Sequence, residues 1–388
     1  MTGSIRQQGK RTWELRIYLG RNETGRKLYR SKTVRGAKRD AQRELAHVID
    51  TLNTGAYIAP SRMTVKDYLG RWLVDYARVN VGGKTFERYS EIVQLHLIPA
   101  LGHHCLEKLQ PLHIQACYSD ALQSGRRDGA GGLSPQTVLH HHRVLREALR
   151  HAVKWQLIAR NPADAVDPPR PQRREIESLD VAETARLLEA SKDSPLALLV
   201  LLAFTTGLRR GELLALRWKD VDLTDSRLAV RQAIEQTKAG GLRFKEPKTQ
   251  RGRRVVTLPA VAVDALRRHK AEQAKERLIL GAAYRDQGLV FARKDGTPMN
   301  PAATSKAFTL LVSKAGVRRV SFHACRHTHA TLLMGANVHP KVVSERLGHA
   351  TVGITLDTYS HVLPSMQEEA AKKMNDLLAP GTSRSRRR

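Results

Sequence analysis

The chain has 388 residues, of which 66 are Lys or Arg and 37 are Asp or Glu, which gives a net charge of +29 and an isoelectric point near 10.6. Such an excess of positive charge repels itself unless a polyanion neutralises it, so the composition favours a protein that binds nucleic acid. The sequence contains no apolar run of about 18 residues, no signal-peptide core and too few cysteines for a disulfide framework, which excludes membrane, secreted and disulfide-rich classes and predicts a cytoplasmic, nucleoid-associated protein.

Residues 1–58 predict a separate module made of a small sheet and one helix. Apolar and polar side chains alternate over residues 13–19, which is the period of a half-buried strand, and a second strand-like run follows over 26–34. A sheet that packs one face on a helix leaves the other face free, and a narrow ribbon of this kind fits the major groove of DNA. We expect DNA contacts from Arg16, Tyr18, Arg30 and Lys32; a merely solvated face is the alternative.

Residues 63–162 predict a helical domain. Thr64 and Ser134 are suitable N-caps, and Pro135 occupies a favoured first helical position. The apolar stripe of the last helix leaves His140 and His141 off its line, so we expect both to be exposed. The histidines and cysteines of residues 103–117 match no common zinc-finger spacing, and we expect no metal there.

A proline- and charge-rich segment, residues 163–178, is typical of a linker between domains. Asp180 followed by Glu183 predicts a capping box at the start of a third domain, residues 179–380, and a basic tail follows over 381–388. The predicted fold class is mainly α with small β-sheets, that is, α+β.

The stretch TGLRRGELL places Arg209 directly after a glycine-containing break that follows an apolar helix. A guanidinium and free backbone N–H groups then point at the same place, which is an arrangement that binds phosphate. Glu212, three residues further along the same helix face, is expected to orient Arg209.

The stretch SFHACRHTH contains three histidines and a cysteine in nine residues. On a helix, His323 lies beside Arg326 and His327, whereas Cys325 points to the opposite side. A metal ion held by the two histidines would lie next to the permanent charge of Arg326, so the pattern disfavours zinc and favours an anion such as a phosphodiester.

Together these motifs resemble the tyrosine recombinases, and the phage-integrase type in particular. The resemblance rests on the order and spacing of Arg209 in TGLRRGELL, Lys248 in PKTQRGRR, His323 and Arg326 in HACR, His349 in LGH, and Tyr359 ten residues later. It covers essentially the whole chain. The first module looks like an arm-site-binding domain, residues 63–162 look like a core-binding domain, and the third domain looks like the catalytic domain.

The resemblance implies that Tyr359 attacks a DNA phosphate and forms a 3′-phosphotyrosine with release of a 5′-hydroxyl. Ionising a phenol at pH 7 costs roughly 4 kcal/mol, so the charge must be stabilised by cationic neighbours. The resemblance assigns that role to Arg209, Arg326, His323 and His349. One phosphodiester is exchanged for another, so neither ATP, a metal ion nor any other cofactor is expected.

The general acid that protonates the departing 5′-oxygen is Lys248 in this resemblance, on a predicted β-hairpin over residues 244–258. Lys238 and Lys245 are alternatives for this role. Tyr359 could also be a core residue at helical spacing from Leu356, and the remaining histidines of the region, His327, His329 and His361, are predicted either to be structural or to support the residues that hold the phosphate.

The resemblance further implies a site-specific recombinase that integrates or excises a phage or other mobile element. The expected partner is double-stranded DNA that carries the attachment sites, and a homo-tetramer is expected on this DNA. A directionality factor and a DNA-bending host protein are possible further partners. A predicted final helix containing Met366 and Leu377 would dock either on a neighbouring protomer or on its own domain. The alternatives are a type IB topoisomerase, a non-catalytic DNA-binding regulator and a metal-dependent nuclease.

Overall fold

A computed structural model of the chain describes residues 3–21, 25–53, 62–172, 177–247, 252–359 and 366–378. The chain divides into two compact units, Met1–Arg173 and Arg174–Arg388, and the division falls inside the segment predicted as a linker. The described residues are mainly helical and contain three small antiparallel sheets, which confirms the predicted fold class. The further division of the first unit into two domains stays a prediction.

A three-stranded antiparallel sheet backed by a helix opens the first unit. In order β1-β2-β3, its strands and its helix are β1 (Gly3–Gly9), β2 (Thr12–Arg21), β3 (Lys27–Arg35) and α1 (Lys38–Asn53). Leu15 and Ile17 of β2 are buried against Ala41 and Val48 of α1, as the alternation predicts. The sequence predicts two or three strands but locates only β2 and β3, because six of the seven residues of β1 are exposed and it therefore lacks an apolar period. The sequence also predicts Gly55 as the C-cap of this helix, and that residue lies outside the described residues.

The rest of the first unit is helical. Its α-helices are α2 (Val65–Trp72), α3 (Arg78–Asn80), α4 (Gly83–Ile92), α5 (Ile98–Leu101), α6 (Pro111–Ser124) and α7 (Pro135–Lys154). Two π-helical turns, Leu73–Ala77 and Val93–Leu97, join α2 to α3 and α4 to α5. Both predicted N-caps are confirmed, because the hydroxyl of Thr64 accepts a hydrogen bond from the amide of Asp67 and that of Ser134 accepts one from the amide of Thr137.

The prediction that His141 is exposed is wrong, since only 3% of its surface is accessible and its ring lies 4.5 Å from the ring of His96. His140 is half-buried. The reason is that α7 is covered on more than one side: Val144 and Ala148, which share a helix face with His141, are buried in the same cluster as Val138 on the predicted stripe. Beyond α7, Ala163 and Val166 also pack into this cluster, so the chain leaves the helical core a few residues after the predicted start of the linker.

The second unit contains nine described α-helices and five short strands. The helices are α8 (Val181–Ser191), α9 (Ala197–Thr206), α10 (Arg210–Leu213), α11 (Ala260–Leu280), α12 (Pro301–Lys314), α13 (Phe322–Gly335), α14 (Pro340–Leu347), α15 (Val352–Tyr359) and α16 (Met366–Leu378). The strands are β4 (Val221–Asp222), β5 (Arg227–Val230), β6 (Ala233–Thr237), β7 (Gly241–Lys245) and β8 (Arg254–Thr257). The predicted capping box of α8 is confirmed, with Asp180 and Glu183 exchanging hydrogen bonds.

The hairpin predicted over residues 244–258 is wrong, because the strands at its two ends belong to different sheets. Strand β7 pairs with β6 across a tight turn that ends at Gly241, whereas β8 pairs with β5 in the order β4-β5-β8. The composition of both segments is typical of strands. Their pairing partners, β6 and β5, lie earlier in the chain, and the sequence of residues 244–258 does not indicate this pairing.

The core of the second unit forms around α9, which is apolar on all sides up to Phe204 and is buried except along one half-buried face that carries Leu201 and Thr205. It packs against α13, whose Ala324 and Cys325 are buried in the same cluster, and Phe308 of α12 closes that cluster. This packing fixes the carboxyl end of α9 next to α13, and the candidate site is built at that junction. No helix in the described part of the chain is long and apolar enough to cross a membrane.

Candidate active site

A cleft of about 600 Å³ in the second unit brings together most of the residues predicted for catalysis. Its walls include Arg209, Glu212, His323, Arg326, His349 and Tyr359. These residues come from four separate places in the chain: the α9–α10 junction, α13, the end of α14 and the end of α15. Lys248, the remaining predicted catalytic residue, lies outside the described residues.

The turn between α9 and α10 positions Arg209. Gly207 ends α9 in the left-handed region with φ +65°, and Arg209 is the N-cap of the short helix α10. The amide of Arg209 donates a hydrogen bond to Glu212 Oε2 at 2.9 Å, and its Nη1 donates to Oε1 at 2.8 Å. The predicted orienting role of Glu212 therefore matches its contacts, and the Arg209 side chain, which is 45% exposed, lines the cleft.

A second arginine, which the sequence did not single out, holds the same carboxylate from the other side. Arg254 of β8 donates from Nη2 to Glu212 Oε2 at 2.8 Å, and both side chains are only 6% exposed. Its Nε donates to the backbone oxygen of Arg346 at 2.6 Å, near the carboxyl end of α14. Burial alone would raise the pKa of Glu212, but the hydrogen bond and the charge of Arg254 lower it below the usual value, so Glu212 is a carboxylate at neutral pH.

Arg326 is buried with 3% of its surface exposed and lines the cleft. Its Nη1 donates to the backbone oxygen of Gly207 at 2.9 Å, whereas Nη2 has no hydrogen-bond partner among the described residues. Burial, followed by the charges of Arg209 and Arg254, lowers the pKa of Arg326 to about 9. An anion in the cleft would satisfy the free N–H group and offset the charge repulsion.

The two predicted histidines lie in the same cleft in different settings. His323 is on the first turn of α13, where burial and then Arg326 lower its pKa. His349 follows Gly348, which ends α14 in the left-handed region with φ +68°, and its Nδ1 lies 2.8 Å from Thr355 Oγ1. Burial, then Arg326 and Arg209, lowers the pKa of His349 to about 4. Both imidazoles are therefore neutral at pH 7 when the cleft holds no anion.

Tyr359 is 1% exposed and lies at the end of α15, packed in a small cluster with Ala330 and Leu347. Its hydroxyl lies 2.8 Å from Nδ1 of His327. Burial raises the pKa of Tyr359 to about 12, an effect that Arg326 partly opposes. The phenol therefore faces the cleft that contains both guanidinium groups, and it is protonated at neutral pH.

Two further side chains hold the carbonyl end of α9. Nδ1 of His329 lies 2.7 Å from the oxygen of Phe204, and Nη2 of Arg346 donates to the oxygen of Thr205 at 3.1 Å. With Arg326 on Gly207, three side chains of α13 and α14 contact the segment that leads to Arg209. The two arginines are favourable at this end of a helix because its carbonyls carry a partial negative charge, whereas burial lowers the pKa of His329 to about 4 and leaves it neutral.

The four predicted DNA-contacting residues of the first module do not share one face. In the antiparallel pair β2–β3, Arg30 lies opposite Ile17 and Lys32 lies opposite Leu15, so both point to the helix-covered side. Lys32 forms an ion pair with Glu44 of α1, which confirms this direction. Placing Arg30 and Lys32 on the free face is therefore wrong, because strand residues alternate with a period of two.

Arg16 and Tyr18 do lie on the free face, together with Tyr29 and Lys27 of β3, around a shallow depression. Arg16 stacks over the ring of Tyr29, with Cζ 4.3 Å from the ring centre, and the rings of Tyr18 and Tyr29 are 5.5 Å apart. Tyr29 and Lys27 are missing from the predicted set because the register between β2 and β3 cannot be read from a single strand.

Within the described ranges, no three His, Cys, Asp or Glu side chains form a group that could hold a metal ion. The sequence prediction also left out of the catalytic set Arg254 and His327, which contact Glu212 and Tyr359. Arg254 carries no local signal apart from its place in a basic segment. His327 does carry one, since it is one helical turn from His323 on the same face, but the sequence predicts for it only a structural or supporting role.

Two family models match the chain. The model of the Phage integrase family matches residues 177–366, and that of the Phage integrase N-terminal SAM-like domain matches residues 64–122. A tyrosine recombinase XerC-like protein of Caldanaerobacter subterraneus subsp. tengcongensis is 30% identical over 96% of this chain and 97% of its own length. An integrase of Saccharopolyspora erythraea is 27% identical over 80% and 82% of the two chains.

Solved structures share the fold. The Tn1549 transposon integrase in complex with transposon right end DNA superposes with a TM-score of 0.67 at 22% identity, over 80% of this chain and 99% of that one. A lambda integrase dimer bound to a core site superposes with a TM-score of 0.56 at 21% identity, over 76% and 95% of the two chains.

Proposed function

Because this chain belongs to the phage integrase family of tyrosine recombinases, we propose that it cuts and rejoins DNA strands at attachment sites with Tyr359 as the nucleophile. The observation that carries this proposal is the cleft in which the Tyr359 phenol, the half-exposed Arg209 guanidinium and the unpaired Nη2 of Arg326 meet. The product is a 3′-phosphotyrosine, and a 5′-hydroxyl is released.

The cleft chemistry supports this assignment of roles. Arg209 and Arg326 bind the non-bridging oxygens of the phosphate and stabilise the charge that builds up in the transition state. His323 and His349 are neutral in the free cleft, and the arrival of an anion favours their protonated forms and lets them donate to the same oxygens. Glu212 fixes the direction of Arg209 and does not contact the phosphate in this proposal.

We assign the general acid to Lys248. Of the lysines that compete for this role, Lys245 lines the cleft but is held in an ion pair with Glu235 on the neighbouring strand β6. The ammonium of Lys245 is therefore already engaged, which favours a lysine further along the segment after β7.

Replacing Lys248 with Ala should slow the cleavage of unmodified DNA, whose departing 5′-oxygen must be protonated. The same change should have a much smaller effect on DNA whose leaving group departs without being protonated.

The partner in this proposal is double-stranded DNA, and the active assembly is a homo-tetramer on paired sites. A transposon integrase and a lambda integrase dimer of the same fold have been solved on DNA, and a lambda integrase tetramer has been solved on a Holliday junction. The free face of the β1-β2-β3 sheet would contact additional DNA through Arg16 and Lys27, with Tyr18 and Tyr29 between them. A directionality factor, a DNA-bending protein and the nucleoid location belong to the same proposal.

The test uses duplex DNA amplified from the regions that flank the gene, with and without 10-fold excess of EDTA over any divalent ion. We expect a protein–DNA adduct that survives detergent, forms in EDTA and is absent in Tyr359→Phe. Tyr284→Phe is the matched control, since this half-buried tyrosine lies outside the cleft. An adduct that persists in Tyr359→Phe, or that needs a divalent ion, would contradict the proposal.

A second measurement separates recombination from relaxation. Two differently labelled duplexes are mixed with the protein, and joined products are scored beside loss of supercoils in a plasmid. Joined products support an integrase, whereas relaxation without joining would support a topoisomerase. A protein that binds the DNA but forms no adduct would be a non-catalytic regulator.

A further inference from the structure

The residue that contacts the phenolic oxygen of Tyr359 is His327, a histidine outside the set assigned to the phosphate. Its Nδ1 lies 2.8 Å from the hydroxyl, and the two rings are 5.9 Å apart at a tilt of 54°. His327 lines the same cleft as Arg209 and Arg326. It is thus within hydrogen-bond reach of the one proton that must leave before the phenol can become a phosphoester.

Both partners of this hydrogen bond are neutral at pH 7. Burial raises the pKa of Tyr359 to about 12, so the phenol keeps its proton. Burial, followed by His323 and Arg326, lowers the pKa of His327 to about 4, so the imidazole is neutral. With its ring proton on Nε2, the imidazole accepts the phenolic O–H at Nδ1, and this is the tautomer that a general base for the phenol requires.

Other polar groups of the cleft are engaged elsewhere. Nδ1 of His349 contacts Thr355, the carboxylate of Glu212 is bound by Arg209 and Arg254, and Lys245 is paired with Glu235. Among the described residues, His327 is the side chain that hydrogen-bonds the Tyr359 hydroxyl. Its position is held by α13, and its ring packs edge-on against His323 at 4.7 Å.

We propose that His327 is a further catalytic residue, the general base that takes the phenolic proton of Tyr359 during cleavage. This rests on the proposed role of Tyr359. As the phenolic oxygen bonds to phosphorus, its proton moves to Nδ1 of His327, the bond from phosphorus to the 5′-oxygen breaks, and that oxygen takes a proton from the general acid, Lys248 in the proposal above. In rejoining, the 5′-hydroxyl attacks phosphorus and returns its proton to the now neutral general acid, while the imidazolium returns its proton to the departing phenolic oxygen.

The bound phosphate makes this transfer feasible. In the free cleft His327 shares the lining with His323 and Arg326 on α13, with His349 after α14, with Tyr359 on α15, and with Arg209, Glu212 and Lys245. A phosphodiester in this cleft adds a negative charge, which opposes the effect of Arg326 on the pKa of His327 and favours protonation of the imidazole. The base therefore becomes stronger when the substrate is in place.

The test compares His327→Asn with the wild type on a nicked duplex from the flanking DNA, in which the cleaved strand cannot be rejoined. Asn keeps a hydrogen-bond acceptor of similar reach but does not take up a proton. We expect cleavage at pH 7 to be about 10²–10⁴-fold slower, which is the usual contribution of a general base. DNA affinity should change little, because His327 does not hold the phosphate. His339→Asn, at an exposed N-cap that Asn also satisfies, is the matched control.

Two further measurements separate proton transfer from a packing role. In His327→Asn, hydroxide must remove the proton, so the rate should rise about tenfold per pH unit from pH 7 to 9, whereas the wild-type rate should level off. In His327→Ala, added imidazole should restore cleavage in a concentration-dependent way, and 3-fluorotyrosine at position 359, a more acidic phenol, should reduce the defect.

The outcomes distinguish this inference from the proposed function. If the wild type forms no phosphotyrosine adduct, the proposed function fails. If the wild type forms the adduct and His327→Asn cleaves within threefold of it across the pH range, the proposed function stands and His327 is not the base. A slow His327→Ala that responds neither to imidazole nor to the fluorinated phenol would also overturn the inference, because a structural defect alone would account for the loss.

Discussion

At the scale of single residues, Glu212 connects Arg209, which is proposed to bind the phosphate, to the buried Arg254. Its carboxylate accepts hydrogen bonds from Arg209 on one side and Arg254 on the other, and the backbone oxygen of Arg346 binds Arg254 in turn. Charges removed from water to this degree are tolerated only when every partner is present. The direction of Arg209 therefore depends on a residue 45 positions further along the chain, which only the fold brings close.

Arg254→Met should lower the free energy of unfolding of the second unit by about 3–5 kcal/mol, because it leaves the buried carboxylate of Glu212 without its main partner. Hydrogen exchange of second-unit peptides in a urea series measures this loss. Arg253→Met is the matched control, since its ion pair with Glu246 is exposed and should contribute less than about 1 kcal/mol. Equal losses in the two variants would contradict the view that Arg254 is an anchor.

A buried histidine makes the first unit sensitive to acid. Burial, then His96 and Arg88, lowers the pKa of His141 in the folded state to about 4 from an unfolded value of 6.5. The unfolded chain therefore binds the extra proton between these values, so stability is fully present above pH 6.5 and is lost as the pH falls towards 4. We expect a loss of about 2 kcal/mol between pH 7 and pH 5 from this residue alone.

His141→Leu should remove this part of the pH dependence, because leucine fills the buried site without a titrating group. Urea unfolding followed by tryptophan fluorescence, to which the buried Trp72 contributes, measures the difference between pH 7 and pH 5. His47→Gln, at an exposed position on α1, should leave the pH dependence unchanged. A His141→Leu variant with the wild-type pH profile would show that another group causes the acid sensitivity.

At the scale of elements, the turn from α9 to α10 must pass close to α13 and α14. A Cβ on Gly207 would lie 2.6 Å from Cδ2 of His329 and 2.7 Å from Cδ2 of Leu347, and the residue adopts φ +65°. A helix end that is closed by a left-handed residue and packed this tightly requires glycine. The same turn carries Arg209, so the packing of α9 determines where that guanidinium lies.

Gly207→Ala should destabilise the second unit by more than the roughly 1–2 kcal/mol of left-handed strain, because the added methyl group also displaces His329 or Leu347. Cleavage should fall more than DNA affinity, as Arg209 moves with the turn. Gly241→Ala is the matched control, with φ +61° and no atom within 4 Å of the new Cβ, so it carries the strain alone. Urea unfolding with adduct formation gives both readouts, and equal costs in the two variants would contradict the packing explanation.

Substitutions on the two faces of the first sheet are expected to differ in their effect on DNA affinity. A double variant of the free face, Arg16→Ala with Lys27→Ala, should weaken binding to long flanking DNA. The slope of the logarithm of the binding constant against the logarithm of the salt concentration should fall by the amount expected for the loss of about two phosphate contacts. The matched control is Arg30→Ala with Lys32→Ala on the face that α1 covers, which removes the same charge. Fluorescence anisotropy over a salt series measures both, and equal effects would indicate that net charge alone attracts the DNA.

At the scale of the whole molecule, the chain carries a net charge of +29, and residues 371–378 of its final helix are exposed. Met374, Leu377 and Leu378 of α16 are more than half exposed, an unusual placement for apolar side chains on one short helix. The proposed tetramer on DNA would cover such a surface and neutralise the charge.

Deletion of residues 363–388 should impair strand exchange far more than DNA binding if α16 docks on a neighbouring protomer. Met374→Ser with Leu377→Ser tests the apolar surface without shortening the chain and should reproduce the defect. Lys372→Ser with Lys373→Ser, also exposed on α16, is the matched control for the helix. Joined products and binding are scored in parallel, and an equal loss of both activities in the truncated protein would count against docking between protomers.

Much of the fold followed from local patterns. The alternation in β2, the caps at Thr64, Ser134 and Asp180, and the apolar helix α9 each predicted an element that the structure contains. The predictions that were wrong concern strand pairing and side-chain burial that depend on segments far apart in the chain. Strand β8 pairs with β5 instead of β7, and His141 is buried because α7 has neighbours on two sides. Neither fact leaves a periodic signal near the residues concerned.

The sequence by itself determined the chemistry available to this protein: an excess of positive charge, two arginines, two histidines and a tyrosine in the order and spacing of a tyrosine recombinase. Tertiary structure alone decided which groups touch. The contact of His327 with Tyr359 spans 32 residues, that of Arg254 with Glu212 spans 42, and the face on which Arg30 and Lys32 lie depends on the register of β3 against β2. Residue type and local spacing fix what a side chain can donate or accept, whereas its partner is set by packing between distant segments.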